Sequence, residues 1–204
     1  KYLSLAYFFG ATGRTVTGLT GLIFAKDAVQ ELDTQLEYME YNADSKGTGL
    51  RKFAQNVVSE TFVTPRSGLL VDFPVVDRSL SVAEAEAMNI RPSIQLYKFE
   101  SIINWHYETV NNEMRLSLVV LKESVTKRDG FQIESKNQYR VLELIDGVYT
   151  QSIYDENSDI LSPPVPVLVN GSTSPTIPFF MVESEGGDKA VINDLVDANL
   201  NHYR

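Results

Sequence analysis

The run Met114–Val125, MRLSLVVLKESV, decides the fold, because it is one of four strand-like runs set end to end. The others are Ile103–Val110 (INWHYETV), Gln132–Leu144 (QIESKNQYRVLEL) and Gly147–Tyr154 (GVYTQSIY). Between them lie Asn111-Asn112, Arg128-Asp129-Gly130 and Asp146-Gly147. Asn and Gly tolerate the positive φ that tight hairpins demand. Strands joined by turns this short form an antiparallel meander.

Working outward, Ser162–Pro178 carries five of the eight prolines and reads as an irregular traverse. Ile177–Glu183, IPFFMVE, is a last strand, broken by Gly186-Gly187. Asp188 then caps an amphipathic helix with Val191, Ile192, Leu195, Val196, Leu200 and Tyr203 on one face. On the N-terminal side, Ile94, Leu96 and Phe99 belong to an extended piece after Pro92, and Ser81–Glu84 is a capping box opening a short helix through Met88. Gly68–Phe73 reads as a buried strand. Leu50, Phe53, Ala54, Val57, Val58 and Phe62 form a helical stripe, with Thr48 as N-cap and Pro65 as terminator. Residues 27–47 read as a short helix or loop around Leu32, Leu36 and Met39, and Leu3–Phe24 as a helix weakened by Gly10, Gly13, Gly18 and Gly21. The class is α+β: N-terminal helices, an antiparallel β-meander and a C-terminal helix.

The chain has 204 residues, enough for one domain or slightly more. Its 43% apolar content permits a real core and excludes global disorder. The absence of cysteine removes disulfides, thiolate catalysis and Cys-based zinc sites together, and fits a reducing compartment. No apolar run approaches the roughly 20 residues of a membrane span. The chain begins and ends inside helix-like patterns and is expected to be a piece of a longer protein. A formal net charge of -9 argues against a surface that coats nucleic acid, which needs clustered Lys and Arg. The densest basic spot, Lys127-Arg128, sits beside Asp129 and reads as a solvated turn.

Phe9–Gly18, FGATGRTVTG, raises the question of a phosphate loop. A dinucleotide fingerprint needs its glycines between a strand and a helix, with an acidic residue about 20 positions on. Gly10-Ala11-Thr12-Gly13 resembles the opening of the extended short-chain reductase version, but Val16 stands at the third glycine position. No second strand with an acid follows, and no βαβ alternation appears. The alternative of a nucleotide-dependent oxidoreductase using Gly10–Gly13 thus lacks its context. The glycines are better read as small residues that let another backbone approach this first helix, from the second helix or from a neighbour. Thr12, Arg14 and Thr15 sit mid-pattern rather than at a helix end.

Other constellations are equally bland. His106 and His202 are isolated, and Asp27, Glu31 and Asp33 lack the calcium-loop pattern. Ser67-Gly68 lacks the frame of a nucleophile elbow, and Glu84 with Glu86 lie on a short exposed helix. No catalytic, cofactor or metal residue is assigned, and residues contacting nucleic acid are not identified. Tyr38 and Tyr41 are candidate exposed aromatics for subunit contacts.

Six blocks in order carry a resemblance. They are GATGRTVTGLTGLIFAK (10–26), GTGLRKFAQNVVSETFVTPRSGLLVDFP (47–74), LSVAEAEAMNIRPSIQLYKFESIINWHYE (80–108), QYRVLEL with GVY (138–149), IPFFMVES (177–184) and LVDANLNHYR (195–204). Together they resemble a tailed-bacteriophage portal protein family, first catalogued as a domain of unknown function. No block is a catalytic motif; their collinearity over nearly the whole chain makes the likeness specific.

The resemblance implies a non-enzymatic subunit of a homo-oligomeric ring, usually of twelve copies, at one vertex of the phage head. Double-stranded DNA passes through such a ring non-specifically during packaging and ejection. The implied partners are the major capsid protein, terminase and neck or head-completion proteins, with no cofactor and no membrane. The implied location is the virion, after assembly in the host bacterial cytoplasm. Residues 1–187 would be a wing-like domain and 188–204 the start of a stem-leading helix. Another head or neck scaffold protein of the same architecture is the remaining alternative.

Overall fold

The computed structural model describes residues 10–74, 84, 88, 90–169, 171–184 and 187–202. The fold is α+β, with N-terminal helices, an antiparallel meander and a C-terminal helix. It divides into two units, one built from 1–67 with 181–204 and the other from 68–180.

The first unit holds three α-helices: α1 (Ala11–Ile23), α2 (Leu50–Val63) and α3 (Asn193–Asn201). A 3-10 helix, Thr34–Glu40, occupies the segment read as a short helix or loop, capped by Asp33, whose side chain accepts from the Gln35 N–H at 3.0 Å. Met39, Ala43, Phe53 and Ile192 are its buried apolar residues. α2 ends where the sequence requires: Thr64 turns to φ -129, ψ 150, since Pro65 bars its predecessor from the helical region.

Two helix starts differ from expectation. Gly49, not Thr48, is the N-cap of α2, because the Thr48 N–H is already bonded to Asp44 Oδ1 at 3.0 Å and its carbonyl accepts from Ala43 at 2.7 Å. A Cβ at Gly49 would overlap the Glu40 carbonyl oxygen, so the cap position needs glycine for space. At the C-terminus Asp188 does not cap. Its carboxylate lies 3.3 Å from Arg66 Nη2, and α3 begins later, with Ile192 at the N-cap and no side-chain cap bond. Leu200 is 45% exposed, so the apolar face of α3 is only partly covered, and Val191, 56% exposed, lies before the helix.

The Asp44 carboxylate also takes the Lys46 N–H at 2.8 Å. Burial works against its charge, but the bonds from Thr48 and Lys46 prevail and hold its pKa below the ordinary 3.8. A depressed folded pKa stabilises above the unfolded value and is lost as pH falls through the folded one. Asp44→Ala is therefore expected to cost about 1 kcal/mol near neutral pH. The gap in Tm from the native chain should shrink as pH drops through 3.8 and below, which a pH series of thermal melts reads directly.

The second unit is dominated by a five-stranded antiparallel sheet, β3 to β7 in sequence order. The strands are β3 (Ile102–Val110), β4 (Glu113–Asp129), β5 (Gln132–Ile145), β6 (Val148–Asp155) and β7 (Ile160–Pro166). Asn111, Asn112, Asp146 and Gly147 all take positive φ, as the mirror-image two-residue turns require. The β4–β5 turn is one residue later than expected: Asp129 pairs with Gln132, leaving Gly130 and Phe131 as the loop, with Gly130 at φ 58.

The proline-rich segment is not an irregular traverse. It supplies β7, which pairs with β6 through Thr150↔Pro166 and Tyr154↔Ile160. Pro163, Pro164 and Pro166 are tolerated because β7 is an edge strand. A small hairpin follows, β8 (Leu168–Val169) with β9 (Ser172–Thr173).

A three-stranded sheet has the order β10 (Phe179–Glu183), β1 (Arg66–Asp72), β2 (Ser93–Tyr97). Phe99 lies just past β2 in a 3-10 turn, Phe99–Ser101, rather than in the extended piece. Leu70, Val119, Leu121, Leu142 and Tyr149 are buried almost completely and form the centre of this unit. The readings on residues 3–9, on the Ser81–Glu84 capping box with Glu86, on Gly186 and on Tyr203 lie outside the described residues.

Candidate functional site

The densest polar cluster in the second unit is a seam joining Asp72, Tyr97, Glu123, Gln138 and Arg140. Strand alternation places it. Glu123 follows Val119 and Leu121 on one face of β4, and on β5 Gln138 and Arg140 precede Leu142 at the same alternate spacing, opposite Glu123, Leu121 and Val119. Asp72 comes from β1 and Tyr97 from β2.

Arg140 Nη1 donates to Asp72 Oδ2 at 3.0 Å, and Arg140 Nε lies 2.9 Å from Glu123 Oε1 as an ion pair outside hydrogen-bonding alignment. Tyr97 Oη donates to the same Oε1 at 2.6 Å, and Gln138 Nε2 donates to Oε2 at 2.8 Å. The three charged side chains are 16–25% exposed. Burial raises the Tyr97 pKa far above the phenol range, with the Glu123 charge adding and Arg140 opposing, so the phenol stays neutral and donates. Burial opposes the Arg140 charge, yet Tyr97, Asp72 and Glu123 outweigh it and raise its pKa, so the guanidinium stays charged. Burial, then Asp72, raises Tyr149 as well.

Chemically the seam is a latch. Both Glu123 oxygens and the Asp72 oxygen facing Arg140 are engaged, and the Tyr97 proton is committed to Glu123.

A groove of about 310 Å³ lies between α1 and α2 in the first unit, lined by Val16, Thr17, Thr20, Gly21, Lys52, Gln55 and Ser59. Its hydroxyls are used internally: Thr17 Oγ1 donates to the Gly13 carbonyl at 2.9 Å, and Thr20 Oγ1 meets Ser59 Oγ at 3.1 Å.

Gly10 is the N-cap of α1 with φ -75, and Gly13 lies inside the helix, so the pair does not form a loop. An added Cβ at Gly10, Gly13, Gly18 or Gly21 meets no atom within 4 Å. The α1–α2 contact therefore does not need these glycines, contrary to the close-approach reading for the second helix. Thr12 sits in the first turn of α1 and not mid-helix, because the described helix starts at Ala11. Asp27 pairs with Arg51, whose Nη2 also donates to the Phe24 carbonyl at 3.0 Å, and Asp33 is spent on its cap. Among the described residues no three His, Asp or Glu side chains converge on a metal-sized site.

His106 and His202 are exposed and far apart in sequence, on β3 and at the end of α3. Ser67 is fully buried and Gly68 lies under the Phe179 ring. Tyr41 is 78% exposed, whereas Tyr38 is half-buried. No described helix is long and apolar enough to cross a membrane.

The seam was not singled out from the sequence, although a signal existed. A charged residue at a core-facing position of an alternating strand, twice over on adjacent strands, demands a buried partner. No protein-family model matches this chain, and no curated protein matches it.

Proposed function

We propose that the chain is the wing region of a bacteriophage portal subunit, a structural, non-catalytic part of the ring through which DNA is packaged and ejected. The observation that carries the proposal is the ordered resemblance of six sequence blocks spread from Gly10 to Arg204. In this reading residues 1–187 form the wing and 188–204 start the stem helix. The ring contacts the capsid, the terminase and neck proteins at a unique vertex of the virion.

Physical features support it. The seam ties Asp72, Tyr97, Glu123, Gln138 and Arg140 to one another, which suits a rigid structural body. The acidic balance, -9, suits a conduit that must let a polyanion slide. Large apolar side chains stand exposed on the surface, including Leu22, Ile23, Phe131, Ile133 and Phe180, as a subunit built to meet other subunits requires.

The test is the mass in solution of the intact subunit, measured across protein concentration. A closed assembly of many copies, twelve being usual for portals, is the expected result. A stable monomer or dimer at high concentration contradicts the reading. A clear rise in Tm with NADPH would instead favour the oxidoreductase alternative.

A further inference from the structure

The β4–β5 hairpin outruns its neighbours. β3 reaches only Leu121 on β4, and β6 reaches only Gln138 on β5, while the β4–β5 ladder continues to Asp129↔Gln132. Among the described residues the ladder is then two strands wide, and every residue from Ser124 to Lys136 is exposed. A two-stranded ribbon is at best marginally stable alone in water. This one nevertheless carries Phe131 at its tip, fully exposed, with Ile133 73% and Val125 44% exposed.

We propose that this arm docks on a second copy of the chain, the β4 edge at residues 122–129, which no described strand covers, adding to the β3 edge of the neighbour. The two edges of the five-stranded sheet differ. β7 carries Pro163, Pro164 and Pro166, which have no N–H to give to a further strand. β3 has nine residues, no proline, and exposed Ile103, Tyr107 and Val110. An unblunted edge of this kind is a template for pairing. The charges match: the arm sets Lys127, Arg128 and Lys136 against Asp129 and Glu134, a cationic excess in a chain of net charge -9. The β3–β4 hairpin presents exposed Glu108, while its Glu113 already pairs with Arg115 at 3.3 Å. Arm and β3 edge are different surfaces, so the contact is heterologous and propagates into a ring or an open chain. The inference rests on the proposed ring only in naming a copy of this chain as the partner.

The chain lacks cysteine, so Phe131→Cys gives a single attachment point for a benzophenone photo-cross-linker. Equal amounts of normal and ¹⁵N-labelled full chain are mixed and irradiated, and the joined peptides are mapped. The expected result is mixed-isotope cross-links from the tip to residues 102–110. In parallel, Phe131→Ser with Ile133→Thr, both at exposed positions, is expected to weaken self-association at least about tenfold with the melting transition unmoved. Mixed cross-links absent or mapped elsewhere, or association unchanged in the double variant, overturns the proposal. Closed rings without β3 cross-links remove the arm and leave the portal reading. β3 cross-links in an assembly that never closes remove the portal reading and leave the arm.

Discussion

Arg140→Met is expected to destabilise the 68–180 unit by about 3–5 kcal/mol, about 10–20 °C in Tm. Among the described residues the guanidinium is the only cation in the seam, and its loss leaves Asp72 and Glu123 facing each other's charge at 25% and 16% exposure. The cost comes mostly from those orphaned carboxylates rather than from the attraction lost. Arg140→Met combined with Asp72→Asn and Glu123→Gln should therefore be less damaging than Arg140→Met alone. Trp105, the single tryptophan, lies on β3 in the same unit and reports urea unfolding by fluorescence. A loss under about 1 kcal/mol for Arg140→Met would place the seam among weak surface pairs and remove its role as a latch.

Phe179→Ala is the second large effect, about 3–5 kcal/mol, because the ring is 5% exposed and its removal opens a cavity. The ring lies over Gly68 and 6.3 Å from the Tyr97 ring. A Cβ at Gly68 would overlap that ring, lying 2.8 Å from Cε2, so Gly68→Ala alone costs about 1–3 kcal/mol by overpacking. The two changes compensate: with the ring gone, the added methyl fills space instead of colliding. The double variant is expected to lose clearly less than the sum of the singles, measured by the same urea titration. Strict additivity would show that the two residues do not share this space.

The meander was legible because its information is local. Asn111, Asn112, Asp146 and Gly147 announce positive φ whatever the rest of the chain does, and all four adopt it. Helix α2 was legible for the same reason, from a stripe ended by Pro65. What failed was decided by partners distant in sequence. Asp188 looks like a cap, but Arg66 claims it. Thr48 looks like a cap, but its carbonyl is taken by the Ala43 N–H, and the first helical bond goes to Gly49. Prolines at 163, 164 and 166 signal irregularity unless the strand is known to lie at an edge. The seam needed β1, β2, β4 and β5 together, and only the inward charges of Glu123 and Arg140 pointed to it. The glycines of α1 suggested a close approach by the second helix that the space around them does not contain.

If this chain is part of a ring-shaped conduit, as proposed, negative-stain electron microscopy of the intact protein will show it. Closed rings with a central channel wide enough for duplex DNA are the expected result. A field of uniform small particles with no channel, at concentrations well above those of assembly for other rings, would contradict it.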